Sequence, residues 1–84
     1  MEILIDLQIE ALDEGGFLAT SSDLQGFLAQ GRTYAETIEI AQDVARKLIE
    51  SYLEHGDALP DKIKAQFAHP NREITLKIPV AISQ

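Results

Sequence analysis

The side chains of this 84-residue chain that could do chemistry are mainly carboxylates. Asp6 lies in a segment with the alternation of a β-strand, and carboxylates that converge on a sheet can hold two divalent metal ions for phosphodiester cleavage. Such a site needs several carboxylates in one place. Glu73 would stand at the start of a predicted last strand, and Glu39 and Asp43 fall on the polar side of a predicted helix. We therefore expect a solvated polar face, no metal site and no enzyme.

The other reactive side chains form no catalytic pattern. His55 falls at the end of the predicted helix, where the helix dipole favours a cation, and His69 falls in a loop. Ser21 and Ser22 suit a turn and match no nucleophile motif. The sequence has no cysteine, which excludes disulfides and thiolate zinc sites. We expect no cofactor.

Charge narrows the class of partner. Fourteen acidic and seven basic residues give a net charge of −7. Because proteins bind nucleic acids by placing Lys and Arg on phosphates, this balance argues against direct nucleic-acid binding. The negative charge favours a small basic protein as the partner, because complementary electric fields speed and orient association. The alternative is that the charge only keeps the chain soluble.

Length and hydropathy indicate a single domain, residues 1–84. A chain of this size buries only about 60–65% of its unfolded surface, so a second copy would add useful burial. The N-terminal stretch carries Glu2, Asp6 and Glu10 and lacks a basic region, so it does not resemble a signal peptide, and no apolar run reaches membrane-span length. We expect a cytoplasmic protein that forms a homodimer or a higher homo-oligomer.

Three short strands are predicted near the N-terminus. Apolar side chains at every second position predict a strand over residues 3–12, and strands over residues 17–20 and 27–30 follow after tight turns. Strands that follow one another so closely form an antiparallel meander.

The turns carry glycines. Gly15 and Gly16 suit the positive φ angles of a hairpin turn. In the second turn, Asp23 and Gly26 suit the first and fourth positions of a type I turn. Leu24 in this turn either tucks under it or meets a partner.

A long amphipathic helix is predicted to begin after Gly31 and to end near His55. Thr33 and Glu36 are spaced as a capping box, and Gly56 suits the left-handed residue that closes a helix. The apolar residues at helical spacing are Ile38, Ile40, Ala41, Val44, Ala45, Leu48, Ile49 and Tyr52.

The C-terminal third predicts a two-turn helix over residues 61–67 and a last strand over residues 73–82, placed at a sheet edge by Pro79. With the strand order βββαβ, a right-handed crossover through the helix would pair the last strand with the first. The predicted fold is α+β, with a four-stranded mixed sheet of order 3-2-1-4 and one main helix on one face.

The spacing of these motifs resembles the HicB antitoxin family over about residues 2–56. The matching pieces are Gly15-Gly16-Phe17, Asp23-Leu24-x-Gly26-Phe27, Gln30-Gly31-x-Thr33, and Glu36 with Ala41 and Ala45. The departures are Ser22 and Gln25 in place of two prolines, Phe27 in place of a cysteine, and Thr37 in place of alanine. Many family members continue into a DNA-binding segment, so the chain, which stops at Gln84, resembles a short form that lacks one.

The resemblance implies a truncated ribonuclease-H-like fold and a role as an antitoxin. Its partner would be a small basic HicA-type toxin, an mRNA-cleaving ribonuclease, and family members are commonly dimers or tetramers. The alternative is a solitary interaction or ligand-binding module of the same fold without a toxin.

Two groups of residues follow from this interpretation. From charge and expected exposure, at two loops placed at neighbouring strand ends, the candidate toxin contacts are Glu10, Asp13, Glu14, Asp23 and Leu24. The residues expected to set the fold are Gly15, Gly16, Gly26, Gly31, Thr33 and Glu36.

Overall fold

A computed structural model of the chain describes residues 2–68, 77–78 and 80–83. Its elements in chain order are β1 (Gln8–Ala11), β2 (Phe17–Thr20), β3 (Ala29–Gly31), α1 (Tyr34–His55) and α2 (Asp61–Ala68). The three strands form an antiparallel sheet in the order β1-β2-β3. The fold is α+β, and α1 packs across β2 and β3.

The predicted four-stranded sheet of order 3-2-1-4, and the ribonuclease-H-like architecture that goes with it, are wrong. Residues 73–76 and 79 of the predicted last strand lie outside the described residues. Residues 77–78 and 80–83 are described, have no strand conformation and are exposed. An alternating apolar pattern identifies a segment suited to a strand. It does not identify a partner, because pairing depends on backbone groups far away in the sequence.

The turn between β2 and β3 begins one residue later than predicted. The Phe27 N–H donates to the Leu24 carbonyl over 3.3 Å, and Gly26 occupies the third position with a φ of 80°. A positive φ at this position is the mark of a type II turn, so the predicted type I turn that starts at Asp23 is wrong.

Helix α1 has the predicted extent and caps. The Thr33 hydroxyl accepts a hydrogen bond from the Glu36 N–H over 3.0 Å, and Gly56 closes the helix with a φ of 68°. The Glu36 carboxylate lies 3.5 Å from Arg32 Nε, and among the described hydrogen bonds it makes none to the Thr33 N–H. Only half of the predicted capping box is therefore formed.

Small residues bring the sheet and the helix close together. Ala19 and Ala29 on neighbouring strands pack with Ala41 and Ala45 of α1, and all four are buried. Larger side chains close the ends of this core: Leu24, Phe27 and Ile63 are buried there.

Gly31 marks the closest approach between the sheet and α1. A Cβ at this position would lie 2.6 Å from Thr37 Oγ1 and 2.8 Å from the Thr37 nitrogen. A Cβ on Gly16, the residue next to Gly31's strand partner Phe17, would lie 2.8 Å from the Gly31 carbonyl oxygen. The first hairpin, β3 and the first turn of α1 therefore meet where only glycine fits.

Candidate functional site

Three of the predicted contact carboxylates lie together at one end of the sheet. Glu10 stands on β1 opposite Leu18, and Asp13 and Glu14 form the tip of the turn between β1 and β2. All three carboxylates are exposed, and none of them forms an ion pair with a cation of residues 2–68, 77–78 or 80–83. We call Glu10, Asp13 and Glu14 the acidic hairpin.

Two carboxylates in the middle of α1, those of Asp43 and Glu50, are by contrast paired with cations. Asp43 lies 3.0 Å from Lys47 Nζ and 2.6 Å from Arg46 Nη2, and Glu50 lies 3.3 Å from Arg46 Nη1. The hydrogen bond from Lys47, followed by the one from Arg46, lowers the pKa of Asp43. Exposed pairs of this kind add little stability, but they cancel the field that a partner would sense.

Asp23 and Leu24 do not join the acidic hairpin. Successive turns of an antiparallel meander lie at opposite ends of the strand between them, so the loop after β2 is a strand length away from the turn before it. The expected placement at neighbouring strand ends is therefore wrong. Leu24 is 1% exposed and tucks under the loop, and the Asp23 side chain is only 8% exposed.

The Asp23 carboxylate is used inside the fold. Its Oδ2 accepts the Asp6 N–H over 2.7 Å, and its Oδ1 lies 3.4 Å from Lys62 Nζ. The same ammonium lies 2.5 Å from Asp6 Oδ2, and the hydrogen bond between them lowers the pKa of Asp6 and raises the pKa of Lys62. This cluster joins the N-terminal segment, the β2–β3 loop and α2.

The cluster is a cross-link and not a metal centre. Its two carboxylates, Asp6 and Asp23, share a lysine between them, and that ammonium occupies the place where a cation would compete. Among the residues that the structure describes, no group of three or more His, Cys, Asp or Glu side chains could hold a metal ion. The helices in this part of the chain also lack the combination of length and hydropathy that a membrane span needs.

Residues 3–7 were expected to belong to the first strand, but β1 begins only at Gln8. The reason is that β2 ends at Thr20, opposite Gln8, so residues before Gln8 have no strand beside them. Side chains replace the missing strand. The Asp23 carboxylate accepts from the Asp6 N–H. The Gln66 side-chain amide accepts from the Leu4 N–H and donates to the Leu4 carbonyl, and each of these two bonds is 2.6 Å long.

Lys62 and Gln66 are the residues in this region that the sequence reasoning missed. They stand four positions apart on α2, one helical turn, so both reach residues 4–6 from the same side. The sequence carried a signal for these two residues. Lys62 and Gln66 flank the buried Ile63, and a polar pair on either side of an apolar residue marks the boundary of the buried face of a helix.

An open apolar groove of about 550 Å³ lies between residues 3–7 and α1. The apolar positions of α1 span roughly 220° of the helix circumference, more than one packing partner covers. One flank packs on the sheet, and the other flank, with Ile38, Ile49 and Leu53, faces Ile3 and Ile5 across the groove. Leu53 remains 53% exposed.

Comparison with known proteins leaves the family open. Neither a protein-family model nor a curated protein matches this sequence.

Proposed function

We propose that this chain is an antitoxin that binds and blocks a small basic mRNA-cleaving toxin of the HicA type. The acidic hairpin is the observation that supports the proposal most directly. It concentrates three exposed carboxylates without a described cation partner in a chain whose net charge is −7. Because such a toxin acts on mRNA, the proposal places the complex in the cytoplasm.

The mechanism is competition for the toxin's cations. A ribonuclease binds the phosphates of RNA through Lys and Arg, and carboxylates of the acidic hairpin would pair with the same groups and keep RNA out. The chain itself needs no catalytic group for this action. Complementary charge also raises the association rate before any contact is formed.

Apolar contacts next to the charges would hold the complex together. Leu18 lies directly opposite Glu10 on the face of the sheet that points away from α1, and Leu28, just before β3, is exposed. Binding surfaces combine an apolar centre with a charged rim, and this face provides both.

The test begins with the product of the neighbouring gene. Co-expression should yield a complex with a small basic protein and should relieve its toxicity. In the variant E10K/D13K/E14K the association rate should fall by about ten- to a thousandfold, because the steering field is reversed. The same change at Glu39, Glu54 and Asp57 alters the net charge equally on another exposed surface, so E39K/E54K/D57K is the matched control.

Two outcomes would contradict the proposal. The first is that no basic protein copurifies and no toxicity is relieved. The second is that the hairpin variant and the control variant bind equally well, which would show that the position of the carboxylates is irrelevant.

A second candidate is a non-enzymatic interaction or ligand-binding module without a toxin. The apolar groove favours it, because an electrostatic contact at the acidic hairpin leaves that groove unused. A neighbouring reading frame that encodes no small basic protein would favour this candidate, and E10K/D13K/E14K would then leave binding to the module's own partner unchanged.

A further inference from the structure

Helix α2 is attached to the rest of the fold by side chains. Among the elements that the structure describes, no Cα of α2 lies within 8 Å of a Cα in a strand or in α1. The buried residue of α2 is Ile63, which is 0% exposed and belongs to the same core cluster as Leu24 and Phe27. A helix that contributes one buried side chain to a core can leave while the other elements stay packed.

Residues 3–7 depend on α2 in turn. The Gln66 side chain bonds to both the N–H and the carbonyl of Leu4, and Lys62 donates to the Asp6 carboxylate. Among the residues that the structure describes, no backbone–backbone hydrogen bond joins residues 3–7 to another segment. If α2 left, Leu4 would lose both of its partners. The two segments therefore hold each other in place, and we call residues 3–7 together with α2 the clasp.

Asp23 joins the clasp to the rest of the fold. Within the described part of the chain, every hydrogen bond and ion pair between the clasp and another segment involves the Asp23 carboxylate. Its Oδ2 accepts from the Asp6 N–H and its Oδ1 lies near Lys62 Nζ, so it holds both parts of the clasp at once. The Asp23 side chain is 8% exposed, and bonds to an ionised group in such a place are among the stronger hydrogen bonds.

The clasp covers apolar surface of the remaining fold. Ile3 and Ile5 face one flank of α1 across the apolar groove, and Phe67 of α2 lines the same groove. Ile63 fills its place in the core. When the clasp leaves, the α1 flank and the core site of Ile63 both become accessible. The open state therefore presents more apolar surface than the closed state does.

We propose that the clasp opens as one unit while the three-stranded sheet and α1 stay folded, and that Asp23 is the residue that holds it closed. The fold then has two states, and what distinguishes them is whether the apolar flank of α1 and the core site of Ile63 are covered. Any change that weakens the Asp23 contacts shifts the population toward the open state. The inference does not depend on the proposed toxin.

Native-state hydrogen exchange of the unmodified full chain tests whether the clasp is one unit. A detached helix of eight residues is unstable in water, so the Phe67 amide should exchange when the clasp opens. The amides of Leu4, Asp6 and Phe67 should share one protection factor, about tenfold or more below that of amides in the middle of α1. Their exchange should also depend more weakly on urea, because opening the clasp exposes less surface than unfolding the chain.

Three results of this measurement would overturn the proposal. The first is that the clasp amides exchange only together with α1, which would make the fold a single cooperative unit. The second is that Leu4 and Phe67 open with different free energies, which would mean that the two segments fray separately. The third is that the Leu4 and Asp6 amides are unprotected.

Thiol labelling tests the role of Asp23, because the sequence has no cysteine of its own. Ile63 and Ala19 are both 0% exposed, but Ile63 lies in the clasp and Ala19 lies in the sheet. The labelling rate of Ile63→Cys should therefore rise less steeply with urea than that of Ala19→Cys. Adding Asp23→Asn to Ile63→Cys should speed labelling by about ten- to a hundredfold without urea, because the bond to an ionised group is lost.

Asp43→Asn is the matched control, because it removes a carboxylate whose cation partners lie on α1, outside the clasp. It should leave the labelling rate of Ile63→Cys unchanged, and circular dichroism checks that each variant keeps the wild-type fold. Equal effects of Asp23→Asn and Asp43→Asn would refute the role of Asp23. Equal urea dependence of the two labelled sites would refute the separate opening of the clasp.

Discussion

Replacing Gly31 with alanine should disrupt the contact between the sheet and α1. The added Cβ would lie 2.6 Å from Thr37 Oγ1, 2.8 Å from the Thr37 nitrogen and 3.0 Å from its Cα. Ordinary contacts of a Cβ begin near 3.4 Å, so the helix must move by more than half an ångström. Thr37 itself is fully buried, and its hydroxyl donates to the Thr33 carbonyl, so the first turn of α1 has little freedom to shift.

We expect a loss of about 3 kcal/mol in the free energy of unfolding, the upper end of the range for overpacked cores, because the opposing atoms are backbone. For a domain of this size, that lowers the melting temperature by roughly 12–24 °C. Urea unfolding followed by circular dichroism measures the loss directly, since the midpoint shifts while the slope stays constant.

Gly26→Ala is the matched control. Gly26 has a φ of 80°, but a Cβ added at this position would meet no atom within 4 Å beyond its chain neighbours. Its substitution should cost only the backbone penalty of about 1–2 kcal/mol. The double variant G31A/T37A loses the shortest contact but keeps the one at 2.8 Å, so it should recover only part of the stability. A melting curve of G31A within the range of G26A would refute the steric reasoning.

Three further predictions concern the loop that was expected to bind a partner and the cross-link between that loop, the N-terminal segment and α2. Leu24→Ala should lower the free energy of unfolding by about 2–5 kcal/mol, and Leu28→Ala, at an exposed site, should lower it far less in the same urea titration. Asp23→Asn should lower the free energy of unfolding by about 1.5–3 kcal/mol, because the buried carboxylate loses its charge-assisted hydrogen bond to the Asp6 N–H. Equal stability of this variant and the wild type would contradict the cross-link. Lys62 lowers the pKa of Asp6, so their pair stabilises the fold above pH 3.8, and this contribution is lost as the pH falls below that value. Lys62→Met should therefore flatten the acid side of a plot of the free energy of unfolding against pH.

The candidate site was only partly predictable from the sequence. Glu10, Asp13 and Glu14 are exposed as their charge and turn position suggested. Asp23 and Leu24 also lie in a predicted turn, yet neither side chain is exposed: Leu24 is buried, and Asp23 bonds to residue 6 and contacts Lys62. A carboxylate that faces solvent and a carboxylate that accepts a distant N–H have the same kind of neighbours in the sequence. The sequence alone therefore did not distinguish Asp23 from the exposed carboxylates.

The sequence by itself determined the elements whose causes are local. Helix α1 begins after Thr33 and ends at Gly56 because a hydroxyl satisfies a free N–H at one end and a left-handed glycine closes the other. Strand β2 has the predicted bounds, and α2 differs from the predicted helix by one residue. The helix ends depend on groups a few positions apart, and β2 pairs with its neighbours across short turns.

Tertiary structure alone decided where the sheet stops. Apolar residues occupy every second position from 3 to 11, yet only residues 8–11 pair with β2, and before them Asp23 and Gln66 side chains replace a strand. The alternation over residues 73–82 likewise did not produce the predicted fourth strand in the described residues. A period of two fixes which side chains share a face, but the edge that pairs is fixed by the positions of distant backbone groups, and those exist only once the chain has folded.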